Sequence, residues 1–444
     1  MDIVSVEILL KQQNKEGWLV IFSGFCLYFS FGLLFLWGDL MIYIYSDLRH
    51  YDSEASLMSL SWVFPLTYFI CQITACLSEK LIRRSSIKKL SFLSFFLTII
   101  ALIICAELKN AFYFIMIYSI FIGISLGLLS SLPIVCGLRY FHDNKARVIG
   151  LIHLGGFFGC IFLMILNVFF INSDNTSPEL ISLIQVYFKD CVANHATKIF
   201  ILIASCLTIF GVISLCYLRN PTNWEFKDYN LNSSMMLEGQ IWKKAIAFIF
   251  LLFLLSLEGL FFIMFYKLIG LTRFYEDHIL SVIGSFGVSL LWLMKIPWNF
   301  FKKTINAMIC IIILQIIAKF FLYFINLYLM GILMEFVSLS GLFAISSRVF
   351  AENFDYKTAK TFNKFSMISF GIAAILICAL KKMLITLDSS FFIGFLMKDL
   401  MLIMWILFQK SSENVQNYQF SPDILKSPIR QIEITEDLAA MPPS

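Results

Sequence analysis

The sequence predicts an all-α integral membrane protein with twelve transmembrane helices arranged as two six-helix halves. Three observations carry that prediction. The chain of 444 residues is 59% hydrophobic and only 14% charged, with a mean hydropathy of +0.84, whereas soluble domains hold about a quarter charged residues. Its apolar runs are continuous and about 20 residues long, the length of a spanning helix, not the short alternating segments of a membrane barrel. A polar stretch at 219–243 divides the runs into two sets of six.

Taken in order, the predicted spans are 18–45, 57–78, 90–107, 111–138, 147–171 and 197–218, then 244–267, 278–301, 303–323, 326–348, 361–382 and 390–409. The first follows a polar terminus, 1–17. The second ends where Glu79 and Lys80 begin a charged cluster, and the third starts after Lys88 and Lys89. Pro133 lies within the fourth, and Gly150, Gly155 and Gly159 space the fifth. Asn220-Pro221 stops the sixth. The link between eighth and ninth is very short and holds Pro297, Asn299, Lys302 and Lys303. The predicted organisation is a terminal segment 1–17, a bundle 18–218, a central loop 219–243, a second bundle 244–409 and a polar, disordered tail 410–444.

Lys and Arg are unevenly spread. The even-numbered connections hold 18 and the odd-numbered ones 8. That bias predicts the even connections and both termini in the cytoplasm, in the plasma membrane or an internal one. Asn175-Thr176-Ser177 then faces outward as a candidate glycosylation acceptor. The N-terminal segment, with Asp2 and Glu7 and no cleavage pattern, does not read as a removable signal. Most of the 11 cysteines fall inside apolar runs, as small hydrophobes rather than a disulfide framework. A formal charge of +5 without a basic soluble face excludes nucleic acid as a partner. No metal, nucleotide or hydrolase motif is present, so neither a cofactor nor an enzyme is predicted.

Residues 75–84 carry a more specific signal: Ala75, Glu79, Lys80, Ile82, Arg83 and Arg84. They fall in the register G-x-x-x-D-[RK]-x-G-[RK]-[RK] of the loop between the second and third helices of the major facilitator superfamily, which the chain resembles. Both glycines are replaced. The resemblance implies a gating loop in which Glu79, Lys80, Arg83 and Arg84 hold one state of a carrier. Lys88 and Lys89 are expected to be topology anchors beside acidic lipid. Residues 129–159, with Pro133, Arg139, Tyr140, Phe141, Arg147, Gly150, Gly155 and Gly159, are similar to the oxalate/formate antiporters and monocarboxylate porters. So are residues 340–374, through Gly341, Phe343, Phe354, Phe365 and Gly371. In 292–303, where a second copy of the acidic loop belongs, Pro297 stands in place of the acid.

Charged residues deep in a membrane are costly and mark function. Glu258, in the seventh span, and Glu335, in the tenth, are candidates for proton coupling or solute contact, because the resemblance implies that these helices line a central cavity. Histidine is the side chain whose unperturbed charge change falls near neutrality, so His153 joins the candidates, as does Arg139, an available base. Lys295, Lys319, Arg348 and Lys364 are placed toward helix ends, where long side chains snorkel. Asp39, near the end of the first span, is predicted to anchor within reach of water. Lys398 and Asp399, neighbours that point apart on a helix, are predicted to be structural. Gln72 and Gln315 are predicted to bond between helices, and Tyr28, Trp37, Tyr118 and Trp292 to wall a cavity.

The resemblance implies a secondary transporter working by alternating access, with a small organic solute and protons as partners. A monocarboxylate is the first substrate class it suggests. The oxalate/formate group carries an arginine in the middle of its eighth helix, and FGVSLLWL here has none. The acidic midplane suits a neutral or cationic solute or a proton-coupled weak acid, and amino acids rank second. A non-transporting sensor or assembly partner is the reading favoured by the lost glycines, the lost second acid and the Ser421-Pro422 and Ser427-Pro428 tail sites. Oligomeric state is open.

Overall fold

The computed structural model describes residues 3–141, 145–182, 185–219, 239–273, 275–294, 298, 301, 304–324, 327–354, 356–386, 398–399 and 402–403. Residues up to Asp399 form one compact unit. Ten described helical stretches are long and apolar enough to cross a membrane, and an eleventh, Asp277–Leu293, is apolar but shorter. Most of the predicted twelfth span, the central loop and the tail lie outside the described residues.

The first span starts with α1 (Ile3–Tyr28), which absorbs most of the predicted polar terminus, since residues 3–16 contain neither Pro nor Gly. It continues through a 3-10 turn into α2 (Gly32–Phe35) and α3 (Trp37–Leu48). The second is α4 (Leu57–Leu60), capped reciprocally by Ser56 and Ser59, and α5 (Val63–Arg84). The third is α6 (Ile87–Glu107). The fourth combines α7 (Ala111–Ile117), a π-helical turn, α8 (Gly123–Leu129) and α9 (Leu132–Tyr140), with Pro133 tolerated in the first turn of α9. The fifth is α10 (Lys145–Leu166), ended by a π-helical stretch, Asn167–Ile171.

The next connection carries secondary structure of its own. Strands β1 (Glu179–Ser182) and β2 (Gln185–Tyr187) pair antiparallel, and α11 (Asp190–Ala196) follows. Its apolar side chains Val186, Phe188 and Ala193 are buried. The Phe188 amide donates to Ser46 Oγ at 2.8 Å, and Thr197 Oγ1 donates to Asp47 Oδ2 at 2.7 Å. The hairpin is thereby fixed to the end of α3, with Arg49 stacked 3.3 Å from the Tyr187 ring.

The sixth span is α12 (Ile199–Tyr217) and the seventh α13 (Gly239–Thr272). Then come α14 (Asp277–Leu293), α15 (Thr304–Tyr323), α16 (Tyr328–Asn353) and α17 (Tyr356–Thr386). The halves meet along three helix pairs: α3 on α13, α5 on α17 and α10 on α14. Two glycines set how closely they approach. A Cβ on Gly38 would collide with the carbonyl oxygen of Ile263, so α3 and α13 touch backbone to backbone. A Cβ on Gly156 would lie 2.6 Å from the Trp292 ring, so α10 offers that indole a seat.

Candidate functional site

Two clusters of buried charge stand out, and helix α13 contributes to both. Its residues Glu258 and Lys267 are nine positions apart, which is two and a half turns of helix at 3.6 residues per turn. They project from opposite faces.

Lys267 faces the first half. Asp39 and Tyr43 are four residues apart on α3, so both point at it. Asp277 and Ser281, likewise four apart, do so from the first turns of α14. Lys267 Nζ lies 2.7 Å from Asp39 Oδ1 and 2.8 Å from Asp277 Oδ1, and neither the lysine nor the Asp39 and Asp277 side chains are exposed. The ammonium also donates to Tyr43 OH and Ser281 Oγ, each at 2.8 Å. The π-helical stretch that ends the fifth span widens the helix there and carries Asn167, which donates to Asp39 Oδ2 at 2.8 Å. Asn172, one residue past it, donates to Asp277 Oδ2 at 2.8 Å. Ser281 Oγ donates to Asp39 Oδ1 at 2.7 Å, and Tyr43 OH donates to Asp277.

One lysine thus serves two aspartates, yet each carboxylate accepts three donors. Asp39 has Lys267, Asn167 and Ser281; Asp277 has Lys267, Tyr43 and Asn172. That density of donors is what makes a buried net negative charge tolerable. Asn175, at φ 50°, extends the link: its Oδ1 accepts from the His278 amide at 3.2 Å and its Nδ2 donates to Glu276 at 3.3 Å.

Asp39 is therefore not an anchor in reach of water, as the sequence suggests; it is fully buried because Gly38 lets α13 press against it. Lys267 was missed because the predicted span ended at that residue. The signal was present: an acid at 39, a lysine at 267 and an acid at 277, all bordering apolar runs.

Glu258 faces the other way. It lies 2.7 Å from Lys319 on α15 and 2.8 Å from Lys398. Lys319 also pairs with Asp399, and Lys398 lies 3.2 Å from the Asp399 carboxylate. Two predictions are corrected here. Lys319 does not snorkel, being about 95% buried. Lys398 and Asp399 do not act apart: the lysine chain is long enough to bend back over its neighbour onto the same cluster. Glu335 on α16 is fully buried beside them. Gln315 Nε2 donates across to the Leu255 carbonyl at 3.0 Å.

The other predicted site residues lie elsewhere. His153 is 5.2 Å from the Tyr28 ring and 5.3 Å from Trp292, in an aromatic cluster between the halves that also includes Phe31 and Phe35. Tyr28 and Trp292 fill that space instead of walling an open cavity. Trp37 donates to the Leu60 carbonyl at 3.2 Å and Tyr118 to the Leu33 carbonyl at 3.0 Å, so both are packed within the first half. Arg139 is buried at the end of α9, near Cys136. Helix α5 runs unbroken through Arg84, so Glu79, Lys80, Arg83 and Arg84 are helical, and the turn falls at Ser85-Ser86, with Ser86 capping α6. Lys80 and Arg84 are exposed; the side chains of Glu79 and Arg83 lie outside the described set. Without glycines the chain has no reason to turn earlier.

Lys381 on α17 forms a third buried charge. Its Nζ donates to Ser61 Oγ at 2.6 Å and to the Met58 carbonyl, at the start of the second span, and lies 5.0 Å from the Trp62 ring. Among the described residues no carboxylate is in ion-pair range of it.

The described residues form a helical, multi-pass membrane fold that several solved transporters share. A solved POT family transporter in complex with 5-aminolevulinic acid superposes with a TM-score of 0.67 at 14% identity, covering 89% of this chain and 96% of that one. The nucleoside transporter NupG gives 0.60 at 15% identity, over 90% and 98%. The xylose transporter XylE from E. coli, in an inward-open conformation, gives 0.60 at 12% identity, over 89% and 95%. No protein-family model and no curated protein sequence matches the chain.

Proposed function

We propose that this protein is a secondary carrier that moves a small organic solute by alternating access, coupled to protons or to exchange. The observation that carries the reading is the Lys267 network. Buried ion pairs across an interface are often no more stabilising than apolar packing. They are suited to an interface that must open, because separated charges regain hydration. The Lys/Arg bias supports an orientation with the even connections and both termini in the cytoplasm. On that orientation the network, the hairpin and Lys381 close the outer end of the path, and the two halves rock about the His153–Trp292 centre.

Within that class a monocarboxylate or related metabolite is the first solute to test, as the sequence resemblance suggests. Lys381 supports it: a buried ammonium at the boundary of the halves, with no carboxylate in ion-pair range among the described residues, fits an anionic solute. The test is reconstitution in liposomes with labelled carboxylates and amino acids, with and without a pH gradient. Uptake of a carboxylate that responds to the gradient supports the proposal. Absence of uptake for every solute overturns it in favour of a sensor or assembly role.

A further inference from the structure

We propose that Glu335 is a proton-binding carboxyl of the second buried cluster, protonated in the conformation described and deprotonated when α13 shifts on opening of the Lys267 network. The cluster holds three acids and two lysines. Its charged members are Glu258 from α13, Lys319 from α15, Glu335 from α16, and Lys398 and Asp399 from the twelfth span. Both lysines are fully engaged: each bridges Glu258 and Asp399. Glu335 has no exposure, and neither of its oxygens has a hydrogen-bond partner among the described residues.

An ionised carboxylate with no donor, buried in a membrane bundle, is prohibitively costly. A proton on Glu335 brings the cluster to neutrality, with two ammoniums facing two carboxylates. The contrast with the first cluster decides where the proton sits. There, six donor contacts meet two aspartates; here, none from the described residues meets Glu335. The proton comes from the aqueous phase and returns to it, forming and breaking one O–H bond on Glu335.

The coupling, unlike the bound proton, rests on the carrier reading above. Glu258 and Lys267 share one rigid helix about 13.5 Å apart along its axis at 1.5 Å per residue. A tilt of α13 that pulls Lys267 from Asp39 also displaces Glu258 from Lys319 or Lys398. An ammonium so released is the partner Glu335 lacks, and its arrival expels the proton.

The experiment is infrared difference spectroscopy of the full-length protein in lipid nanodiscs, run from neutral to alkaline buffer, where exposed carboxylates stay ionised. The wild type is expected to show a protonated-carboxyl band. Glu335→Gln abolishes it, and Glu335→Asp shifts its frequency. Glu258→Gln also abolishes it, because two lysines then face only two acids and Glu335 ionises. A band unchanged in Glu335→Gln overturns the assignment. So does a melting temperature that rises with sodium or potassium over choline in the wild type but not in Glu335→Gln, which places a metal ion there instead. Lys267→Met, once shown to open the outer face, is expected to weaken the band; a full band in that open variant refutes the coupling. An intact band with no uptake of any solute refutes the carrier reading alone.

Discussion

Replacing Lys267 with Met leaves Asp39 and Asp277 buried and facing one another without a cation. In the closed conformation each carboxylate falls from three donors to two. Breaking a buried pair by removing one partner costs about 3–5 kcal/mol. The cost falls on the closed state only, since opening lets water reach both carboxylates. At 1.4 kcal/mol per decade, about 3–5 kcal/mol shifts the closed-to-open ratio roughly 10²- to 10⁴-fold, enough to make a minor open state the major one. Spin labels at Glu54→Cys and Leu327→Cys, one on each half at the outer end, report the separation by pulsed electron resonance. The exposed Cys191 and Cys216 are changed to Ser beforehand. The expected result is a longer distance population in Lys267→Met that contracts again in Lys267→Met/Asp39→Asn, where only one uncompensated acid remains. A distance distribution identical to that of the parent, in a monodisperse preparation, would refute the claim that this network holds the outer end shut.

Gly38→Ala is expected to act in the same direction, because its methyl meets the Ile263 carbonyl; overpacking of this kind costs about 1–3 kcal/mol, and the same spin labels measure it. Lys381→Met is expected to reduce uptake of carboxylates in liposomes at least tenfold while sparing neutral solutes, and equal loss for both classes would make Lys381 structural. At the opposite end, Glu352 accepts from Thr304 N at 3.3 Å, Thr304 Oγ1 at 2.7 Å and Arg348 Nε at 2.6 Å. Partial burial pushes its carboxyl upward, but the Thr304 and Arg348 hydrogen bonds outweigh it and hold it below the usual range. A depressed value means stability that is complete above the ordinary glutamate range, about 4.3, and lost as pH falls through the folded value. The melting temperature of Glu352→Gln is therefore expected to trail the parent at neutral pH and to converge with it in acid.

What the linear chain shows and hides can be traced residue by residue. Ten of the predicted spans match described spans of adequate length, and the eighth matches a shorter helix, because hydropathy depends on composition over a window and needs no partner. The ordered hairpin at 179–187 was not legible: its strands are four and three residues long, and their burial comes from α3 rather than from their own pattern. Glu258 and Glu335 were legible as costly intramembrane acids, and they do share a cluster. That Glu258 faces helices of its own half was recoverable only with Lys267 in view, two and a half turns along the same helix.

The sequence alone determined the class of the protein. A chain this apolar must satisfy its backbone within helices, and its length and Lys/Arg spacing set how many and suggest which way they run. Only the tertiary structure decided which charges meet. Asp39, Lys267 and Asp277 are separated by up to 238 residues in the chain, yet a glycine contact and a π-helical stretch bring them together. Hydropathy is a sum over neighbours in sequence, whereas the pairing of buried ions depends on helix rotation and approach distance, which exist only once the helices are packed.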